Sequence, residues 1–143
     1  MEEPLTEELL DELRCAPSPD SFLADHPATG RDLSSYLNEL LEAHGISRID
    51  AIHGAQINET YGYQLFKGSR SNPSRDHLLA LALAMGLSFR ETNRLLQAGG
   101  ASELYCKDRR DAIIIFALDH GYPLQRTNEE LYRFGETTVG TGS

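Results

Sequence analysis

The sequence predicts an all-α protein, and three observations lead to that prediction. Apolar residues, mostly leucines, recur at three- and four-residue intervals, as on the buried side of a helix. Ser, Thr, Asp or Asn precedes many of these segments and Gly follows them, which is the usual punctuation of helix starts and ends. Two patterns, Ser88 to Glu91 and Thr127 to Glu130, match the capping box of a helix N-terminus.

Residues 1–30 are predicted to form an acidic helical arm. This stretch carries eight acidic residues and one basic residue, in a chain of 143 residues with a net charge of −9. Thr6 is a suitable cap for a helix that runs to about Arg14, and its leucines lie on one stripe. We expect this helix to pack on the core. The alternative is an acidic cover that regulates the middle of the chain.

Residues 31–100 are predicted to form a domain of five helices. The helix starts are Asp32, Ser47, Asn58, Ser74 and Ser88, and Gly45, Gly68, Gly86 and Gly99 end the first, third, fourth and fifth helices. The fourth helix is almost entirely apolar, so we expect it to be deeply buried. Lys67, in the last turn of the third helix, lies close in the sequence to Arg70 and Arg75, which makes that end of the unit basic.

Residues 101–135 are predicted to form a C-terminal helical extension that packs on the domain. The run Ala112 to Leu118 is rich in β-branched residues and is compatible with a buried strand or a buried helix. Helix punctuation on both sides favours a helix from Lys107 to His120. Thr127 is predicted to cap a last helix that ends at Phe134. Residues 136–143 lack core-forming content and are expected to be a disordered tail.

The segment Leu33 to Leu96 resembles the Xre-like, phage-repressor-type helix-turn-helix family. The resemblance rests on Ala55-x-Ile57-Asn58 at the turn, on Leu65-x-Lys67-Gly68-x-Arg70 at the end of the next helix, and on Met85-Gly86-Leu87-Ser88 further on. It covers just under half of the chain. It implies a compact five-helix repressor-like domain that binds operator DNA, usually as a homodimer, through a recognition helix from about Asn58 to Lys67.

The resemblance also implies a set of DNA-binding residues. These are Arg48, Gln56, Asn58, Thr60, Tyr63, Gln64, Lys67, Ser69 and Arg70. Asn58 or Gln64 would pair with adenine, and Thr60 or Tyr63 would reach a thymine methyl group or a phosphate. Lys67, Ser69, Arg70 and Arg48 would hold the phosphate backbone of double-stranded DNA.

A protein-interaction or signalling adaptor on the same scaffold is the alternative function. Its motivation is the acidic balance of the chain and three residues unusual for the family: Gln56 at a turn position that is commonly Gly, the acidic Glu59, and Gly62 inside the recognition helix. Thr137 and Thr138 follow Glu136 in the tail and are candidate phosphorylation sites for a Ser/Thr kinase, which a phosphothreonine-binding partner would then read.

Other classes of function find little support in the sequence. No nucleophile is paired with a base, no glycine motif for nucleotides is present, and the histidines are scattered, so we expect no catalytic residues, no cofactor and no metal. Cys15 and Cys106 are far apart and are interpreted as inert thiols. No apolar run could span a bilayer and no signal peptide is evident, so we expect a cytoplasmic protein without membrane contact.

Overall fold

The computed structural model describes residues 29–70 and 73–140, and within these ranges the chain is all-helical, as predicted. Seven helices are present in this part of the chain: α1 (Thr29–His44), α2 (Arg48–Gly54), α3 (Glu59–Lys67), α4 (Arg75–Met85), α5 (Phe89–Ala98), α6 (Arg109–Asp119) and α7 (Leu124–Arg133). Residues 1–28 of the predicted arm over residues 1–30 lie outside the described residues, and its last two residues, Thr29 and Gly30, belong to α1.

The first five helices pack around α4. Helix α4 contacts α1, α2 and α5, and α1 also packs against α3 and α5. All but one of the apolar residues of α4 are buried, from Leu78 to Met85, in agreement with its apolar sequence. Its N-cap is Ser74, whose side chain accepts the His77 N–H, and its C-terminal glycine is Gly86 with φ +67°. Burial of one long apolar helix therefore organises this half of the molecule.

The run from 112 to 118 is helical. Helix α6 begins after Asp108, whose carboxylate accepts the Asp111 N–H at 2.9 Å, and ends at Asp119. Ile114, Ala117 and Leu118 are buried, and α6 packs on α5 and α7. The N-cap hydrogen bond of Asp108 favours the helix over the strand preferred by β-branched residues, because a strand would not bring the Asp111 N–H to the Asp108 carboxylate.

The predicted start of the last helix is wrong. Helix α7 begins at Leu124, after Pro123, and Thr127 lies within the helix with its side chain fully buried. The Thr127 hydroxyl donates to the Pro123 carbonyl at 2.9 Å instead of capping a helix N-terminus. Pro123 provides a cap position four residues before Thr127, because its ring fixes φ at a value that suits the residue before a helix.

The expectation of a disordered tail is wrong for residues 136–140. Val139 is 3% exposed and packs in the hydrophobic core, and both of its backbone polar groups bond to Asn128. A single aliphatic side chain with partners for its backbone is enough to dock the segment. The expectation for residues 141–143 lies outside the described residues.

Among the described residues, no helix combines the length and the apolar character needed to cross a bilayer.

Candidate nucleic-acid interface

Helices α2 and α3 form a compact unit over residues 47–68, which we call the α2–α3 unit. The Ser47 side chain accepts the Asp50 N–H at 3.2 Å, and the Asn58 side chain accepts the Tyr61 N–H at 3.2 Å. Gly68 ends α3 in the left-handed conformation with φ +84°. Both helices therefore begin where the sequence predicts, and α3 also ends at the predicted glycine, because each of these boundaries has its own local hydrogen bond.

The connection between the two helices turns at Gln56. Gln56 has φ +56°, and among the described residues it is the one non-glycine residue with a positive φ. Its N–H donates to the His53 carbonyl at 3.0 Å, and the Ile57 N–H donates to the Ile52 carbonyl at 3.2 Å. This pair of bonds is a Schellman motif, in which glycine is the usual residue. Gln56 thus occupies the glycine position and makes the glycine conformation.

Gly62 sets the distance between α2 and α3. A Cβ atom added to Gly62 would lie 2.7, 2.8 and 2.9 Å from three side-chain atoms of Ile52, which is fully buried. The two helices therefore cross at a point where only a glycine fits. The unusual glycine in the predicted recognition helix has a packing reason, which the sequence did not reveal because it depends on Ile52.

The predicted DNA-binding residues lie on the outer side of the α2–α3 unit. Gly62, Leu65 and Phe66 face the core, whereas the opposite side of α3 is open. The exposed members of the predicted set are Arg48, Gln56, Asn58, Thr60, Lys67, Ser69 and Arg70, and the half-buried ones are Tyr63 and Gln64. The amphipathic pattern of α3 thus brings the predicted polar residues of this helix to one surface.

Several of these side chains are already engaged with one another. The Arg70 Nε donates to the Gln64 Oε1 at 3.0 Å, and the Arg70 guanidinium lies 5.4 Å from the Tyr61 ring centroid. The Arg48 guanidinium lies 5.9 Å from the Tyr63 ring centroid. Gln64 therefore orients Arg70 in this state, and a bidentate contact of Gln64 with adenine would need its oxygen to exchange partners.

Arg75 pairs with Asp111 of α6 and does not act as a free cation beside Lys67 and Arg70. Its guanidinium makes two parallel bonds to the Asp111 carboxylate, at 3.0 and 2.8 Å, and also donates to the carbonyls of Ser102 and Glu103. The hydrogen bond with Asp111 raises the pKa of Arg75, against the lowering effect of burial. The predicted cluster of Lys67, Arg70 and Arg75 is wrong in this member, because Arg75 joins α4 to α6.

The charge of the outer surface is mixed. Arg48, Lys67 and Arg70 are exposed cations, while Asp50 and Glu59 are exposed carboxylates on the same unit. Glu59 lies 3.7 Å from the His53 Nε2, and both side chains are more than half exposed. This surface therefore has fewer net cations than strong phosphate binding alone would use.

Tyr61 connects the unit to α4. Its ring centroid lies 4.9 Å from that of His77, and the two rings are tilted by 45°. Burial lowers the pKa of His77, although the nearby carboxylate of Asp76 acts in the opposite direction. A neutral His77 suits this packing. Tyr61 is half-buried and packs against the hydrophobic core.

A second polar cluster lies away from the α2–α3 unit and was missed by sequence reasoning. Arg110 pairs with Asp76 at 3.2 Å and donates to the carbonyls of Thr137 and Thr138, while Asn128 binds Val139. Arg110 and Asn128 bind residues that are 11 to 34 positions away in the sequence, so no local motif marks this cluster. The Thr137 side chain is exposed and the Thr138 side chain is half-buried.

The described residues contain no group of three or more His, Cys, Asp and Glu side chains placed to hold a metal ion. Cys106 is an exposed free thiol, and Cys15 lies outside the described residues.

No family model matches the chain, and comparison with curated proteins and with solved structures gives no match either.

Proposed function

We propose that the chain is a helix-turn-helix transcriptional regulator of the Xre-like type, acting in the cytoplasm, which binds double-stranded operator DNA through α3. The observation that carries the proposal is the outer side of α3. It presents exposed and half-buried polar side chains, with Lys67 and Arg70 at its C-terminal end and Arg48 of α2 beside Tyr63, on a helix whose position is fixed by tight packing of Gly62 on Ile52. A rigid helix with an open polar side is what the major groove accepts.

The side chains of this surface divide into two roles. Asn58, the N-cap of α3, and Thr60, Tyr63 and Gln64 within the helix would meet base edges, and Gln56 precedes them at the turn. Arg48, Lys67, Ser69 and Arg70 flank them and would contact phosphates, which position the protein without reading sequence. If the regulator is a homodimer, its two half-sites would lie about 34 Å apart, which is one turn of DNA.

The test is selection of genomic DNA fragments at low salt, followed by gel-shift titration of the enriched sequence. The test variant is Gln64→Ala with Arg70→Ala. Its matched control is Gln125→Ala with Arg133→Ala, which removes the same two residue types from the exposed surface of α7. We expect the test variant to lose about ten- to a hundredfold in affinity and the salt slope to fall by about 1. The control should bind like the wild type.

Two results would contradict the DNA-binding proposal. One is the absence of any enriched sequence in the selection. The other is an enriched sequence that both double variants bind as tightly as the wild type, because the contacts would then lie elsewhere.

A protein-interaction adaptor is the second candidate, and the surroundings of Thr137 favour it. Thr137 is exposed, its carbonyl accepts from the Arg110 Nε at 2.8 Å, and Arg109 lies 3.5 Å from Glu136. A phosphate on Thr137 or Thr138 would add about −1.5 to −2 charges beside two arginines. Mass spectrometry of the protein from its native cell tests this candidate. Unmodified threonines at both positions under all growth conditions would remove it.

A further inference from the structure

The segment that follows α7 lies in a cleft formed by α4, α6 and α7. After Gly135, with φ +73°, the chain leaves the helix axis and residues 137–140 run without regular secondary structure along α7, α6 and the start of α4. Three side chains hold it, one from each helix: Asn128 of α7, Arg110 of α6 and Asp76 of α4. We call residues 137–140 the docked segment and these three helices its cleft.

Asn128 binds both backbone polar groups of one residue. The Val139 N–H donates to the Asn128 Oδ1 at 2.7 Å, and the Asn128 Nδ2 donates to the Val139 carbonyl at 3.3 Å. A side-chain amide offers an acceptor and a donor group, which are the two kinds of group that pair with backbone. This contact recognises extended backbone whatever the residue.

Arg110 and Asp76 extend the same type of recognition along the segment. Arg110 donates to the Thr137 carbonyl at 2.8 Å and to the Thr138 carbonyl at 3.1 Å. Asp76 accepts the Gly140 N–H at 3.0 Å. The two side chains also pair with each other at 3.2 Å, so each orients the other. Four successive residues are thus held by their backbone groups.

One side chain of the docked segment is selected. Val139 is 3% exposed, whereas the Thr137 side chain is exposed. A Cβ atom on Gly140 would meet its nearest neighbour at 3.9 Å, which is an ordinary contact, so the cleft does not need glycine there. The cleft therefore reads an extended backbone and a single aliphatic side chain, which are the elements of peptide recognition.

We propose that α4, α6 and α7 form a binding site for a short extended peptide with one aliphatic residue. Residues 137–140 occupy it within the same chain. When they are released, the site takes a peptide of the same pattern from another molecule. The tethered segment competes at a high effective concentration, so the site is masked until the segment is displaced.

The test uses the full chain and a fluorescein-labelled peptide of residues 134–143 in an anisotropy titration. Val139→Asp places a carboxylate in the apolar position and should expel the tethered segment. We expect this variant to bind the peptide at least tenfold more tightly than the wild type. Tyr132→Asp is the matched control, because it adds the same charge at an exposed position of α7 outside the docked segment, and it should bind like the wild type.

Two further variants separate release of the segment from a general loss of structure. Val139→Gly removes the aliphatic side chain without adding charge, and it should also bind more tightly than the wild type. Adding Asn128→Ala to Val139→Asp should abolish binding, since the backbone contact is lost. Circular dichroism verifies that each variant remains helical.

The proposal is overturned if Val139→Asp and Val139→Gly bind the peptide no better than Tyr132→Asp does. It is also overturned if the Asn128→Ala double variant keeps the affinity of Val139→Asp. Hydrogen exchange on the wild type gives an independent measurement: the Val139 and Gly140 amides should be protected, and exchange at the rate of an unstructured peptide would refute the docking itself.

Discussion

Replacing Gly62 with Ala should destabilise the protein, although Ala is the better helix former. Gly62 lies within α3, where alanine would normally add about 0.5–1 kcal/mol of stability. At this position the new methyl carbon would lie 2.7, 2.8 and 2.9 Å from the Cγ1, Cγ2 and Cδ1 atoms of Ile52. Carbon atoms that are not bonded prefer separations of about 3.5–4.0 Å, so α2 and α3 would have to move apart.

The two effects have opposite signs, and their sizes decide the result. Inserting a methyl group into a well-packed core typically costs about 1–3 kcal/mol. The upper part of this range applies to Gly62, because three atoms of Ile52 are too close and Ile52 is fully buried, with no solvent space to move into. After subtracting the gain in helix propensity, we expect a net loss of about 1–2 kcal/mol in the free energy of unfolding.

Urea denaturation followed by circular dichroism measures this loss, and Ile52→Ala provides the control background. Ile52→Ala removes all three clashing atoms at its own cost of about 2–5 kcal/mol. In that background Gly62→Ala should raise the stability by about 0.5–1 kcal/mol. The reasoning fails if Gly62→Ala stabilises the protein that retains Ile52. It also fails if the substitution has the same effect in both backgrounds, since Ile52 would then not be the obstacle.

Three more predictions concern the α4–α6 junction and the turn. Truncating Arg75 or Asp111 to Ala should each lower the unfolding free energy by about 1–3 kcal/mol, and the double variant should lose less than the sum, which a double-mutant cycle in urea measures. Burial would raise the pKa of Asp111, but the bonds from Arg75 and the Tyr105 N–H outweigh it and the net pKa is lowered. The unfolded chain therefore binds the proton of Asp111 more readily than the folded chain does. The stabilisation by Asp111 is present above about pH 3.9 and is lost as the pH falls through the lower pKa of the folded state. Urea midpoints should drop more steeply on acidification for the wild type than for Asp111→Asn. Gln56→Gly should raise the unfolding free energy by about 0.5–1 kcal/mol because φ at this position is positive, whereas Gln56→Val should lower it, and equal stability of both variants would contradict the turn geometry.

Helix boundaries were predictable because their chemistry is local. Four helices are capped by a side chain that accepts the N–H of the residue three positions later; the caps are Ser47, Asn58, Ser74 and Ser88. Four consecutive residues at each helix start therefore carry the whole signal. The outward-facing residues of α3 were predictable for a similar reason, since helical periodicity fixes which side chains share a side. Whether that side binds DNA depends on a partner and remains a proposal.

Residues whose role depends on distant partners were not predictable. Arg75 follows directly after a predicted loop, and its sequence context does not distinguish a phosphate-binding cation from one that pairs with Asp111, 36 residues later. Thr127 has the right neighbours for a capping box but is buried within α7 because Pro123 begins the helix first. Val139 is a lone aliphatic residue in a polar tail, and its docking depends on Asn128 and on a cleft that three helices create.

The first turn of α4 links the two surfaces for which we propose functions. Asp76 holds Arg110 and the Gly140 N–H, so it contacts the docked segment directly. His77, the next residue, packs on the Tyr61 ring of α3. The Arg70 guanidinium lies over the same ring. The docked segment and α3 therefore contact adjacent residues, Asp76 and His77, of the same helical turn. If displacement of the docked segment shifts this turn, peptide binding and DNA binding are coupled through it, and linkage then requires the coupling to be equal in both directions.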